Sequence, residues 1–245
     1  MRWALLLAAL LPRVVSADET SETKELVGQV GSRSALMVVH ATQRADGGWQ
    51  LTGEYVLLPT LARRFVEGER SPELGVTTLK EGNTAILYGR PPASGELRGA
   101  WQGGMFKGTR YGPGGQERER FEFSEEFPPL DGYSASVRCD IAEGRYQSNL
   151  VLSVDSGKLK PGSFEWRAKV APSGHTCVLR GLEQQPFKGG LRFASGRCSV
   201  TLREAGEFVR VAAENCAAQC GSEAYLEPLI VDRRGRCQLL RQEPK

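Results

Sequence analysis

Short runs, apolar or alternating apolar with polar, fill this chain from Ala35 onward, and glycines, prolines and polar turns cut each run off before it grows long. The 29 glycines and 13 prolines among 245 residues are enough to do that cutting throughout. Alternation with period two places successive side chains on opposite faces of a strand, whereas an amphipathic helix needs apolar spacings of three and four sustained over about a dozen residues. The runs recur at roughly 8 to 12 residues, the spacing of a β-sandwich or barrel. The expected fold is therefore mainly β, with antiparallel β-barrel or β-sandwich units, two of them, and little helix.

Ala35 to Ala41 and Trp49 to Leu58 form an expected strand pair, joined across Asp46-Gly47-Gly48, a strong hairpin turn signal. Further strands are expected at Gly75 to Leu79, Thr84 to Tyr88, Glu96 to Trp101, Met105 to Arg110 and Arg118 to Phe123. Later ones fall at Tyr133 to Ile141, Tyr146 to Val154, Ser163 to Val170, Thr176 to Leu182, Leu191 to Phe193, Cys198 to Leu202, Phe208 to Ala212, Ala224 to Leu226 and Cys237 to Leu240. Only Leu61 to Val66 and Glu214 to Glu223 suit a helical turn, and neither is long enough to bury a face.

The segment Phe127-Pro128-Pro129-Leu130-Asp131-Gly132 interrupts any ladder, because proline has no N–H to donate. It separates a cysteine-free β domain, residues 34–127, from a β domain over residues 132–241 that holds Cys139, Cys177, Cys198, Cys216, Cys220 and Cys237. Residues 18–33, polar and charged, are expected to be a loose leader.

The chain opens with Arg2, an apolar run from Trp3 to Leu11, Pro12, and small residues up to Ala17 before Asp18. This is the pattern of a secretory signal peptide, residues 1–17, cleaved near Ala17. Its apolar run of about nine residues is far short of the roughly 20 that span a bilayer, so no transmembrane segment is expected in the mature chain. The setting is then periplasmic or extracellular. In that compartment six cysteines imply three disulfides, in any of about 15 connectivities. The three-residue gap of Cys216-Ala-Ala-Gln-Cys220 suits neither a zinc site nor a thioredoxin-like pair, so no metal and no cofactor is expected.

The net charge is +3, and loss of Arg2 and Arg13 with the signal leaves the chain nearly neutral. No global field draws it to nucleic acid or to an anionic membrane. There are only two histidines, His40 and His175, and no Gly-x-Ser-x-Gly or HExxH motif, so nothing proposes nucleophilic or zinc hydrolysis.

Candidate chemistry concentrates in Gly95 to Phe123, where glycines interleave aromatic and basic residues. The commonest role of such a segment is a plain hairpin with Gly103-Gly104 at its tip. A functional role would have Trp101 and Tyr111 stack on a glycan or partner protein, with Arg110 pairing to it. Glu117-Arg118-Glu119-Arg120 alternates in sign, which on a regular strand puts Glu117 and Glu119 on one face. They are candidate carboxylates for acid and base work, or else a solvated face of ion pairs.

The stretch Leu97 to Thr109 resembles a single MORN-type hairpin, with apolar, glycine and aromatic positions repeated across a turn. MORN hairpins come in tandem arrays and no second copy stands here, so the likeness implies a hairpin and not an array. Cys216 to Tyr225 resembles the cysteine-rich endings of small exported bacterial proteins, some of them lysozyme inhibitors. The function expected from all this is a non-enzymatic exported binding or inhibitor-like protein of the bacterial envelope, its partner an envelope protein or glycan. The alternatives are a glycan- or ester-directed hydrolase using carboxylates, or a structural envelope component.

Overall fold

The computed structural model describes residues 20–58, 60–71, 75–82, 94–170, 174–221 and 226–240. The expected signal peptide and the expected strand at Thr84 to Tyr88 lie outside the described residues. The chain is mainly β, as its alternation requires.

Eight strands make a closed antiparallel barrel in simple meander order: β1 (Ser21–Val30), β2 (Arg33–Gln43), β3 (Trp49–Leu57), β4 (Ala62–Arg70), β5 (Val76–Gly82), β6 (Gly95–Gln102), β7 (Met105–Tyr111) and β8 (Glu117–Ser124). The seam is β1 against β8, from Val27 opposite Ser124 to Val30 opposite Phe121. Alternation sends Leu26, Met37, Leu51, Tyr55, Leu79, Leu97, Phe106 and Phe123 inward, where they fill the barrel. Lys80, Arg98, Lys107 and Arg120 stand outside in water. That polarity is the reverse of a lipid-facing barrel, whose outer band is apolar.

A sheet this narrow closes only if its strands coil sharply, and glycine supplies the coil. Gly99 on β6 and Gly108 on β7 face each other on the inner side. A Cβ on Gly108 would run into the Arg98 carbonyl oxygen, and one on Gly99 into that of Lys107. At the seam a Cβ on Gly28 would meet the Glu122 carbonyl oxygen. In each case the obstacle is backbone, which cannot rotate away. Gly108→Val is therefore expected to lower the unfolding free energy by about 3 kcal/mol, read from the urea midpoint. An unchanged midpoint would remove glycine from the account of closure.

Two further sheets follow. One has the order β12-β11-β10-β9, from β9 (Ala135–Glu143), β10 (Tyr146–Asp155), β11 (Lys158–Val170) and β12 (His175–Arg180). The other runs in chain order through β13 (Glu183–Gln185), β14 (Leu191–Ser195), β15 (Cys198–Ala205), β16 (Phe208–Glu214), β17 (Leu229–Asp232) and β18 (Cys237–Leu239), with a one-turn helix α1 (Ala217–Cys220) after β16. Their inner faces share one core that includes Leu150, Trp166 and Leu179 from the first sheet and Phe193, Val200, Leu202 and Val211 from the second. The indole Nε1–H of Trp166, fully buried there, donates to Ser148 Oγ at 2.9 Å.

All six cysteines are paired: Cys139 with Cys237, Cys177 with Cys220 and Cys198 with Cys216. Cys139 and Cys177 sit on β9 and β12, the two edges of the four-stranded sheet. Each edge is thus bonded across the core, one to β18 and the other to α1. The third bridge ties the open end of the β15–β16 hairpin in the middle of the six-stranded sheet.

The barrel packs against this disulfide-bearing part through a small apolar cluster. Val27, Leu36, Val56 and Leu58 on the barrel's outer face meet Ala205, Ile230 and Leu240, with Phe127 of the proline-rich connection between them. This covering explains the apolar start of β2, where Ala35, Leu36 and Met37 are buried in succession on both faces.

Three expectations are corrected. Residues 21–30 are not a loose leader: Leu26 and Val30 alternate into the core, and β1 supplies the pairing edge that lets the barrel close. Leu61 to Val66 is not helical but opens β4, with Val66 directed inward. Of the expected strand at Ala224 to Leu226, residues 224 and 225 lie outside the described residues and Leu226 is buried but in no strand; the next strand is β17 at Leu229–Asp232.

Candidate functional site

One end of the barrel carries the β2–β3, β4–β5 and β6–β7 turns, and a cavity of about 220 Å³ opens there. The β6–β7 turn is the two-residue Gly103-Gly104, both at positive φ (58° and 76°), the geometry that matches the twist of a tight hairpin. It leaves Trp101 half-buried at the rim. The Trp101 ring stacks on Phe106 with centroids 5.0 Å apart and planes 12° from parallel. Opposite, the turn after β2 is pinned by Asp46 Oδ1, which accepts the Gly48 N–H at 2.9 Å. The next residue, Trp49, has the inward parity of Leu51 and lines the same cavity.

Charged groups ring these two indoles. Lys24 Nζ lies 5.8 Å above the Trp101 ring, 2.7 Å from Glu125 and 3.7 Å from Glu22. Arg70, the register partner of Trp49, completes the rim. Two carboxylates and two cations leave the mouth electrically balanced. It therefore presents flat apolar faces beside both hydrogen-bond donors and acceptors, without selecting a charged ligand.

The opposite end of the barrel is plugged by a polar chain. Glu81, with no exposed surface, accepts from the Tyr55 hydroxyl and from Arg110 Nε at 2.9 and 3.0 Å. Arg110 Nη1 donates to Glu119 at 3.0 Å, and Arg33 Nη2 donates to the same carboxylate oxygen at 2.7 Å. Burial, then the charge of Glu81, raises the Tyr55 pKa well above the usual tyrosine value. Burial alone would lower that of Arg110, but the hydrogen bonds and charge of Glu81 outweigh it and hold the guanidinium above its usual value.

The residues singled out from sequence are thus dispersed. Trp101 lies at the mouth. Arg110 and Tyr111 lie toward the other end of β7, Arg110 taken up by two carboxylates and Tyr111 covered by Arg98, whose guanidinium carbon is 5.1 Å from the ring centroid. Glu117 and Glu119 do not follow simple alternation, because the β7–β8 register shifts: Arg110 faces Glu119 while Tyr111 faces Glu117. Glu119 joins the ion-pair chain and Glu117 is exposed. Neither lines the mouth cavity. Trp49, Lys24, Glu22, Arg70 and Glu125 were not singled out. A signal for Trp49 was present, since it opens a strand directly after the Asp-Gly-Gly turn with Leu51 two residues on.

No protein-family model matches the chain, nor does any curated protein or solved structure. The arrangement itself, an eight-stranded meander barrel with a filled interior and an aromatic mouth beside a disulfide-bonded pair of sheets, is what defines the site. Its three disulfides are compatible with an exported protein, and among the described residues no helix is long and apolar enough to cross a membrane.

Proposed function

We propose that this chain is an exported, non-enzymatic binding protein of the bacterial envelope that holds a neutral glycan at the mouth of its barrel. The observation that carries this reading is the pair of half-buried indoles, Trp49 and Trp101, inside a charge-balanced rim of Glu22, Lys24, Arg70 and Glu125. A sugar ring offers what such a mouth can use: an apolar C–H face to lie on an indole, and hydroxyls that both donate and accept. A strongly cationic or anionic partner would meet a like charge at every approach. The barrel interior is filled by side chains, so the ligand sits at the mouth and not within.

The test uses β-1,4-linked N-acetylglucosamine oligomers in calorimetric titration against the folded protein. Saturable binding is expected, weakened at least about tenfold by Trp101→Ala with the β spectrum retained. Absence of binding, or equal affinity in the variant, overturns the reading. Export has its own check in an intact mass from an oxidising host. The mature protein is expected to lack residues 1–17 and to take up no alkylating agent before reduction.

A further inference from the structure

We infer that the binding site continues out of the barrel mouth into the cleft between the barrel and the disulfide-bonded sheets, so that the ligand is a linear oligosaccharide and not a single sugar. This rests on the mouth reading proposed above. The cleft has a volume of about 490 Å³, and three of its lining residues, Glu22, Lys24 and Glu125, also line the mouth. The two spaces therefore adjoin along those side chains.

β1 is the ridge between them. Its alternation sends Lys24 toward the Trp101 ring and sends Thr23 and Glu25 to the other face, into the cleft. Glu25 anchors the far wall: its carboxylate reaches Arg210 at 2.5 Å and Arg203 at 3.3 Å, on β16 and β15. Arg210 is only 4 % exposed, so this wall is fixed by a buried charge and not by a mobile surface pair. Glu214, at the end of β16, also lines the cleft and is exposed.

Size decides between one ring and several. The mouth alone, at about 220 Å³, falls below the roughly 300 Å³ at which pockets for drug-sized ligands begin, and it accommodates one ring. The cleft adds more than twice that space, and its lining of four carboxylates and two cations offers acceptors and donors to hydroxyls. A β-1,4-linked chain is extended and ribbon-like, with hydroxyls along both edges, which suits a run over a strand ridge. Passage requires the Lys24–Glu125 pair to open and its two ends to take hydroxyl partners in its place.

The experiment is a titration of the N-acetylglucosamine series from one ring to six against wild type, Glu214→Trp and Trp101→Ala. Glu214 is exposed, so the tryptophan fills the cleft without disturbing a core. Affinity is expected to rise at least about tenfold from one ring to four, and Glu214→Trp is expected to erase that increment while leaving single-ring affinity unchanged. Length-independent affinity, or an increment indifferent to Glu214→Trp, overturns the cleft extension while the mouth survives. Affinities untouched by Trp101→Ala, or no binding by any oligomer, overturn the mouth and the extension together.

Discussion

Arg110→Ala is expected to lower the unfolding free energy of the chain by about 3–5 kcal/mol, the cost of leaving a buried carboxylate without its cation. Glu81 is fully buried, and its partners are the Arg110 guanidinium and the Tyr55 hydroxyl. The same principle gives a control, because replacing both members of a buried pair by apolar side chains is often neutral or better. Glu81→Leu combined with Arg110→Met should recover most of the loss in urea unfolding. If the double variant is no more stable than Arg110→Ala, the penalty comes from packing and not from the orphaned charge. Alkaline pH probes the same cluster. The Tyr55 pKa is raised on folding, so the stability tied to its proton is complete below the ordinary tyrosine value of 10.0 and falls as pH climbs above it. The expected slope reaches at most about 1.4 kcal/mol per pH unit, and Tyr55→Phe should flatten it.

Removal of the Cys139–Cys237 bridge by paired alanine substitution should cost about 2–5 kcal/mol and lower the unfolding temperature of the disulfide-bearing part more than that of the barrel. The bridge spans 98 residues of sequence, against 43 for Cys177–Cys220 and 18 for Cys198–Cys216, so it restricts the unfolded chain most. It also ties β9, an edge of the four-stranded sheet, to β18, a three-residue strand with little pairing of its own. The check is calorimetry of each of the three paired variants. If loss of the Cys198–Cys216 bridge proves the most damaging, loop length does not govern these bridges.

The β architecture was legible because nearly every strand is short and bounded by turn residues, and Asp46-Gly47-Gly48 and Gly103-Gly104 sit where hairpins turn. Polar composition hid β1: Ser21, Glu22, Thr23, Lys24 and Glu25 look like a tail, and only the later alternation of Leu26, Gly28 and Val30 marks a strand. Register hid the ionic chain, since Tyr55, Glu81, Arg110 and Glu119 come from four strands and meet only once the sheet closes. Trp101 could be singled out, but Trp49 and Lys24 could not be placed beside it, because their proximity depends on closure at the β1–β8 seam. Disulfide pairing was open for the same reason: both edge strands had to be positioned before Cys139 and Cys177 could be assigned partners.

The tryptophans furnish the most direct test of the mouth as the binding site. Of the indoles beyond the expected signal peptide, Trp49 and Trp101 line the mouth, while Trp166 is buried in the sheet pair and hydrogen-bonded to Ser148. Indole N–H resonances of nitrogen-15-labelled protein, followed during titration with a four-ring N-acetylglucosamine oligomer, report all three at once. Shifts at Trp49 and Trp101 with Trp166 stationary are the expected result. Stationary mouth indoles under saturating oligomer, or movement at Trp166 alone, would contradict the account.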